Sequence, residues 1–229
     1  MGVQAHSRQF LQKSPFPDPD FTDLEKHREE VKRSEKFAHD ATIRPGIEEY
    51  VLTIPMRDNY HSEIRVFKPS FTPASGSPLI VLIFGGGFVV GTNLQVSPIS
   101  YALSDLYGAT VVNLSYRLAP EHKFPAAPND IWDSVTWLAA NASSLGAKLS
   151  AGFILGGNSA GANLTAVTAQ RAVEEELSPR LTGLWVGIPF LLTPNLVEDR
   201  FKPIWFSREQ NADAPLLNSR AIDMIMQVY

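Results

Sequence analysis

The chain contains no cysteine among its 229 residues. This absence excludes disulfides, thiolate metal ligands and cysteine nucleophiles. It also fits a reducing compartment, where disulfide bonds do not persist. We therefore expect a cytoplasmic protein.

The sequence also lacks an excess of positive charge and any long apolar run. Lys and Arg number 20 against 24 Asp and Glu, which gives a net charge of −4. This balance predicts no nucleic-acid partner and no polybasic membrane patch. The longest apolar run, residues 79–90, is too short and too rich in glycine for a membrane span. No charged segment leads into an apolar one at the N-terminus, so a secretory signal is not expected.

Apolar strands and helical patterns alternate along the chain. The predicted strands are residues 48–54, 64–68, 79–84, 109–115, 153–155 and 184–190, and the predicted helices are 21–39, 131–142, 162–176 and 219–229. Strands that are apolar throughout are typical of a parallel sheet buried on both faces. The sequence therefore predicts an α/β fold with a mostly parallel sheet and helices on both faces.

A serine lies at the junction of a predicted strand and a predicted helix. The pentapeptide there is Gly157-Asn158-Ser159-Ala160-Gly161. Small flanking residues permit a tight turn that exposes the serine to a substrate, and the strand–turn–helix context favours a nucleophile. A serine hydroxyl is a poor nucleophile without a neighbouring base. Ser159 is thus the candidate nucleophile, and no histidine follows it in the sequence.

Three successive glycines follow the strand at 79–84, in the segment Phe84-Gly85-Gly86-Gly87-Phe88. Such a loop can aim backbone N–H groups at a carbonyl oxygen on which negative charge develops. A merely flexible turn is the alternative. A dinucleotide site is excluded because Val90 stands where a third glycine or alanine is required, and no Gly-Lys-Ser/Thr follows for a phosphate loop. We expect no cofactor and no metal.

A third segment, residues 116–127, reads Tyr-Arg-Leu-Ala-Pro-Glu-His-Lys-Phe-Pro-Ala-Ala. With the other two segments, it resembles the hormone-sensitive-lipase-like esterases of the α/β-hydrolase superfamily. These include fungal esterases that remove acyl groups from metabolites. The likeness runs from about residue 48 to the end of the chain, with the three motifs in the family's order.

The resemblance implies an α/β-hydrolase fold and a small-molecule ester substrate. It implies that Ser159 is the nucleophile and that Gly86, Gly87 and Ala160 supply the N–H groups of an oxyanion hole. It further implies an N-terminal lid over residues 1–45 and a hydrolase core over 46–229.

The same resemblance assigns supporting roles and shows departures. Arg117, Glu121 and His122 are implied to hold the loop below the site rather than to react. Phe84 replaces the histidine that usually precedes the glycines. The histidines at 6, 27, 39, 61 and 122 all precede Ser159, so the triad Asp and His are not found.

The family's last strands, which carry that acid and histidine, are therefore expected to be missing. An exposed apolar edge strand would result, and a homodimer that covers it is a predicted assembly. Three readings stay open: a serine ester hydrolase for small or medium acyl esters with reduced competence, a non-catalytic small-molecule binding protein on the same scaffold, or an inactive truncated product.

Overall fold

A computed structural model describes residues 23–214 and 217–229. The helices are α1 (Leu24–Asp40), α2 (Ser97–Tyr107), α3 (Ala126–Asn141), α4 (Ala160–Glu174), α5 (Ser207–Gln210) and α6 (Ser219–Val228). The strands are β1 (Glu48–Pro55), β2 (His61–Lys68), β3 (Leu79–Ile83), β4 (Thr110–Leu114), β5 (Phe153–Asn158) and β6 (Gly183–Gly187). Residues 1–22 of the predicted lid lie outside the described residues, and the predicted boundary at residue 45 stays a prediction.

The six strands form one sheet in the order β1-β2-β4-β3-β5-β6. β4, β3, β5 and β6 are parallel, whereas β1 and β2 join as an antiparallel hairpin at one edge. Every residue of β3 and β4 is buried, as expected for central strands covered on both faces. The predicted, mostly parallel sheet is confirmed.

Helices cover both faces of this sheet. Side chains alternate between faces along a strand, so Gly157 and Ile154 of β5 lie on opposite sides. A Cβ on Gly157 would lie 2.4 Å from the carbonyl oxygen of Gly161 in α4. Ile154 instead lines an apolar groove together with Ile99 of α2. α4 and α2 therefore pack on opposite faces, which confirms the predicted layers.

Several predicted boundaries were wrong. The strand predicted at 184–190 ends at Gly187, because Ile188 has a φ of 43°, which extended backbone does not allow. The helix predicted from residue 131 begins at Ala126, since Pro128 is tolerated in its first turn. β5 continues through its glycines to Asn158 instead of ending at residue 155. Helix α2 had not been predicted.

The chain divides into two compact units. Residues 30–191 and Tyr229 form one of them, which contains the whole sheet. The other includes Leu192–Val228, where α6 buries Ala221 and Ile225. Arg208 pairs there with Asp223 at 2.5 Å. Within the described ranges, no helix is long and apolar enough to cross a membrane.

The start of α4 approaches the end of β3 backbone to backbone. A Cβ on Gly161 would lie 2.2 Å from the carbonyl oxygen of Ile83 and 2.4 Å from that of Phe84. These distances are far below contact distance, so only glycine permits this approach.

We therefore expect Gly161→Ala to lower the free energy of unfolding by about 2 kcal/mol, because an overpacked backbone must move apart. Alanine has a higher helix propensity than glycine. A loss of stability in this variant must therefore come from the contact with β3. Urea denaturation provides the measurement. Gly183→Ala is the matched control, since its Cβ would meet a side-chain atom of Ile154 at 3.1 Å. Equal losses in the two variants would contradict the close-packing explanation.

Candidate active site

The three sequence motifs meet at the carboxyl ends of neighbouring parallel strands. Ile83 at the end of β3 is in register with Leu114 of β4 and with Gly157 of β5. The segments that follow these strands therefore leave the sheet side by side. This is the edge of an open parallel sheet at which ligands bind.

Ser159 adopts the strained backbone of a sharp turn between β5 and α4. Its φ is 52° and its ψ is −119°, a combination that costs free energy in a non-glycine residue. Its N–H donates to the carbonyl oxygen of Gly187 at 2.9 Å, and its carbonyl accepts from the N–H of Asn163 at 3.1 Å. Neighbouring elements thus fix the turn from both sides, and Ser159 itself is half-buried.

The glycine loop lies directly against this turn. A Cβ on Gly85 would lie 3.1 Å from the Cβ of Ser159. Three successive residues, Gly86, Gly87 and Phe88, have φ values of 127°, 61° and 65°. The carbonyl of Gly86 accepts from Val90 N–H at 3.0 Å. The loop is therefore a defined turn beside Ser159 and not a merely flexible connection.

The N–H groups of Gly86 and Gly87 donate to no acceptor within residues 23–214 and 217–229. The N–H of Ala160, as the first residue of α4, has no partner within its own helix. Donors of this kind can bind an oxygen that carries negative charge. That Gly86, Gly87 and Ala160 together form an oxyanion hole remains a prediction.

Phe84, which replaces a histidine of the family pattern, is buried against Tyr116. The two rings stack with centroids 4.3 Å apart and planes 11° apart. The Tyr116 hydroxyl donates to the carbonyl oxygen of Phe84 at 3.1 Å. Burial raises the pKa of Tyr116 well above its usual value, so the hydroxyl stays protonated as a donor. The glycine loop is thus anchored at its start by an aromatic stack.

Arg117 connects the third motif, residues 116–127, to helix α3 and to the turn between β1 and β2. Its Nη2 lies 2.7 Å from Oδ1 of the buried Asp130, and its Nη1 lies 2.7 Å from Asp58 in the turn between β1 and β2. The hydrogen bond with Asp130 raises the pKa of Arg117. Burial lowers this pKa, and the contact with Asp58 raises it further. The Arg117 guanidinium in turn lowers the pKa of Asp58. These contacts fit the implied holding role of Arg117.

None of His39, His61 and His122 supplies Ser159 with a hydrogen-bonded base. His122 is exposed, and no hydrogen bond joins Ser159 to His39, His61 or His122. Within the described ranges, no group of three or more His, Asp or Glu could hold a metal ion. The site as described therefore consists of a serine in a strained turn and of backbone N–H groups next to it.

Sequence reasoning missed two polar residues beside the glycine loop. Gln95 binds the backbone of Gly85, and its amide group contacts the carboxylate of Glu35 in α1 at 3.1 Å. Glu35 is buried, which raises its pKa, while hydrogen bonds from Thr92 and Gln95 oppose this shift. A polar contact across 60 residues has no periodic signal that a sequence could show.

Tyr229 was also missed as a part of this region. Its ring stacks on Phe88 at a centroid distance of 3.9 Å, and its carbonyl accepts from Phe124 N–H at 2.9 Å. Burial raises the pKa of Tyr229. The glycine loop is therefore covered by an aromatic ring next to its third positive-φ residue.

Comparisons with known proteins agree with this geometry. A family model for the alpha/beta hydrolase fold matches residues 80–229. An AB hydrolase superfamily protein of Schizosaccharomyces pombe is 32% identical over 99% of this chain, and a carboxylesterase of Mycobacterium tuberculosis is 34% identical over 72% of it. The solved esterase of Pyrobaculum calidifontis superposes with a TM-score of 0.81 over 97% of this chain, at 32% identity.

These relatives are longer than the chain. It spans 68% of the S. pombe protein, 49% of the mycobacterial carboxylesterase and 68% of the P. calidifontis esterase. The matched part includes the sheet, the turn at Ser159 and the glycine loop. On these grounds the chain belongs to the α/β-hydrolase family, in its hormone-sensitive-lipase-like esterase group.

Proposed function

We propose that this chain is a serine carboxylic ester hydrolase for small or medium acyl esters, with Ser159 as its nucleophile. The observation that carries the proposal is the packing of the glycine loop against the strained turn of Ser159, with 3.1 Å between a Cβ built on Gly85 and the serine Cβ. A nucleophile and backbone donors placed side by side are what acyl transfer requires.

In this mechanism, Ser159 Oγ attacks the ester carbonyl carbon while its proton passes to a water molecule. The carbonyl oxygen becomes an oxyanion and accepts hydrogen bonds from the N–H groups of Gly86, Gly87 and Ala160. Ala160 begins α4, so the positive end of the helix dipole adds to this stabilisation. The tetrahedral intermediate expels the alcohol and leaves an acyl group on Ser159, which water then releases as the acid.

The proton transfers limit the rate in this chain. No hydrogen bond joins Ser159 to His39, His61 or His122, and lack of a catalytic base can cost on the order of a millionfold in kcat. Acylation by an ester with a good leaving group needs the least help, because that group departs without protonation. Deacylation needs an activated water, so the acyl-enzyme accumulates.

The names of the relatives support the reaction class. The mycobacterial and archaeal proteins are a carboxylesterase and an esterase, and a fungal hydrolase is similar over nearly the whole chain. We extend the proposal to a metabolite ester of fungal secondary metabolism as substrate. We also propose a cytoplasmic location, supported by the absence of cysteine.

We expect p-nitrophenyl acetate to acetylate Ser159 in a slow reaction that releases one equivalent of p-nitrophenol per chain. Peptide mass spectrometry locates the acetyl group, and absorbance follows the phenol. Ser159→Ala abolishes both signals, whereas Ser144→Ala, a control at an exposed serine, changes neither. Equal release and labelling in Ser159→Ala would remove Ser159 from the mechanism.

A second candidate function is non-catalytic binding of a small molecule on this scaffold. The observation that favours it is the lack of a hydrogen-bonded histidine at Ser159 among His39, His61 and His122. A free carboxylic acid could place one oxygen where the oxyanion forms. Saturable binding of butyrate without acetylation of Ser159 supports this function, and absence of both binding and acetylation supports an inactive product.

We further propose that β6 pairs with β6 of a second copy. Within the described ranges, β6 has a neighbouring strand only on its β5 side. Leu184, Trp185 and Val186 are 50%, 45% and 39% exposed, and no charged residue occurs between positions 181 and 197. An apolar edge strand without charges is prone to pair with another strand.

Light scattering is therefore expected to give a mass twice the 25.2 kDa of one chain. Val186→Lys places a charge on the edge and is expected to give the monomer mass. Val173→Lys adds the same charge on α4, at a site that is 79% exposed, and leaves the dimer intact. A monomeric wild-type chain would refute the proposal.

A further inference from the structure

The amide group of Gln95 binds both polar groups of the Gly85 backbone. Its Oε1 accepts from Gly85 N–H at 2.8 Å, and its Nε2 lies 3.4 Å from the Gly85 carbonyl oxygen. Asn158, the residue before the nucleophile, directs its Nδ2 at the same Oε1 at 3.4 Å. A single side chain thus connects the glycine loop with the turn that carries Ser159.

Glu35 determines which way this amide points. Its Oε1 accepts from Gln95 Nε2 at 3.1 Å, and its Oε2 accepts from the Thr92 hydroxyl at 2.6 Å. An ionised carboxylate only accepts hydrogen bonds. If the Gln95 amide were reversed, its oxygen would face the carboxylate oxygen of Glu35, and its NH₂ group would face two donors, Gly85 N–H and Asn158 Nδ2. Neither arrangement forms a hydrogen bond. The carboxylate therefore selects the orientation in which Gln95 Oε1 faces Gly85.

The Gly85–Gly86 peptide group connects the hydrogen bonds of Gln95 to the proposed oxyanion hole. The carbonyl of Gly85 and the N–H of Gly86 belong to the same planar peptide group, and in its trans form they point in opposite directions. A hydrogen bond that fixes the carbonyl of Gly85 consequently fixes the direction of the Gly86 N–H. Glycine offers no steric restraint of its own here, so this restraint must come from outside the loop.

We propose that Glu35, acting through Gln95, is a positioning residue that aims the Gly86 N–H at the reacting carbonyl oxygen. Glu35 is buried, with 7% of its surface exposed, and its two carboxylate oxygens each contact a residue of the segment after the glycine loop. Its role in hydrolysis rests on the proposed function, whereas its restraint on the Gly85–Gly86 peptide can be measured without any reaction.

The test uses the full chain and follows the amide signals of Gly85 and Gly86 by ¹H–¹⁵N NMR. In Glu35→Ala we expect both signals to shift and hydrogen exchange at Gly85 to accelerate at least tenfold. The amide of Val112 in the centre of β4 reports whether the fold survives and is expected to stay unchanged. Glu30→Ala, on the same helix, is the matched control and leaves all three amides unchanged.

Two further variants, Gln95→Met and Glu35→Gln, test the same restraint on the Gly85–Gly86 peptide. Gln95→Met keeps the length of the side chain but removes its hydrogen bonds, and it is expected to reproduce the effect of Glu35→Ala. It replaces Glu35→Ala in the test if that variant fails to fold. Glu35→Gln retains an acceptor toward Gln95 and is expected to restore part of the protection. Unchanged Gly85 and Gly86 amides in both Glu35→Ala and Gln95→Met would overturn the proposal.

The acylation of Ser159 by p-nitrophenyl acetate provides a separate readout. We expect Glu35→Ala to slow acylation at saturating ester about tenfold while half-saturation stays near its wild-type concentration, because the donor acts on the transition state. If the wild-type chain is not acylated, the proposed function is wrong. The NMR comparison still tests whether Glu35 and Gln95 restrain the Gly85–Gly86 peptide. Normal acylation in a variant with displaced Gly86 signals would overturn the catalytic part of the inference.

Discussion

The contact on which the site depends is the backbone-to-backbone approach of α4 to the end of β3. Gly161 lies so close to the carbonyl groups of Ile83 and Phe84 that any side chain would collide with them. Because Gly161 follows Ser159 by two residues and Phe84 precedes Gly86 by two, this one contact sets the distance between Ser159 and the glycine loop. The other interactions of the site refine an arrangement that this contact establishes.

The glycine loop is restrained at three places by side chains of different chemistry. The ring of Tyr116 stacks on Phe84 at its start, the amide of Gln95 binds the backbone of Gly85, and the ring of Tyr229 stacks on Phe88 at its end. Glycine-rich backbone has a large conformational entropy to lose, so such restraints are needed before its N–H groups can hold a fixed direction. The replacement of histidine by Phe84 is accommodated by the stack rather than left as a gap.

Local sequence patterns predicted much of the fold and the three motifs. They could not predict the polar contacts between residues that are far apart in the sequence. The central strands were visible as continuous apolar runs, and the turn at Ser159 as small residues between a strand and a helix. Helix α2 was missed because its buried face is made of Ser97, Ser100, Tyr101 and Ser104 while Ile99 and Leu106 are exposed, which reverses the expected pattern. Glu35 and Gln95 were missed because their contact depends on folding.

Strand β6 connects Ser159 to an exposed edge of the sheet. The carbonyl of Gly187 accepts the N–H of Ser159, and this bond is one of those that hold the serine at a positive φ. Strained backbone persists only where neighbouring structure enforces it. Leu184, Trp185 and Val186 are partly exposed, so this support for the turn comes from a strand at the edge of the described sheet. Gly187 at the end of β6 therefore contributes directly to the turn that holds Ser159.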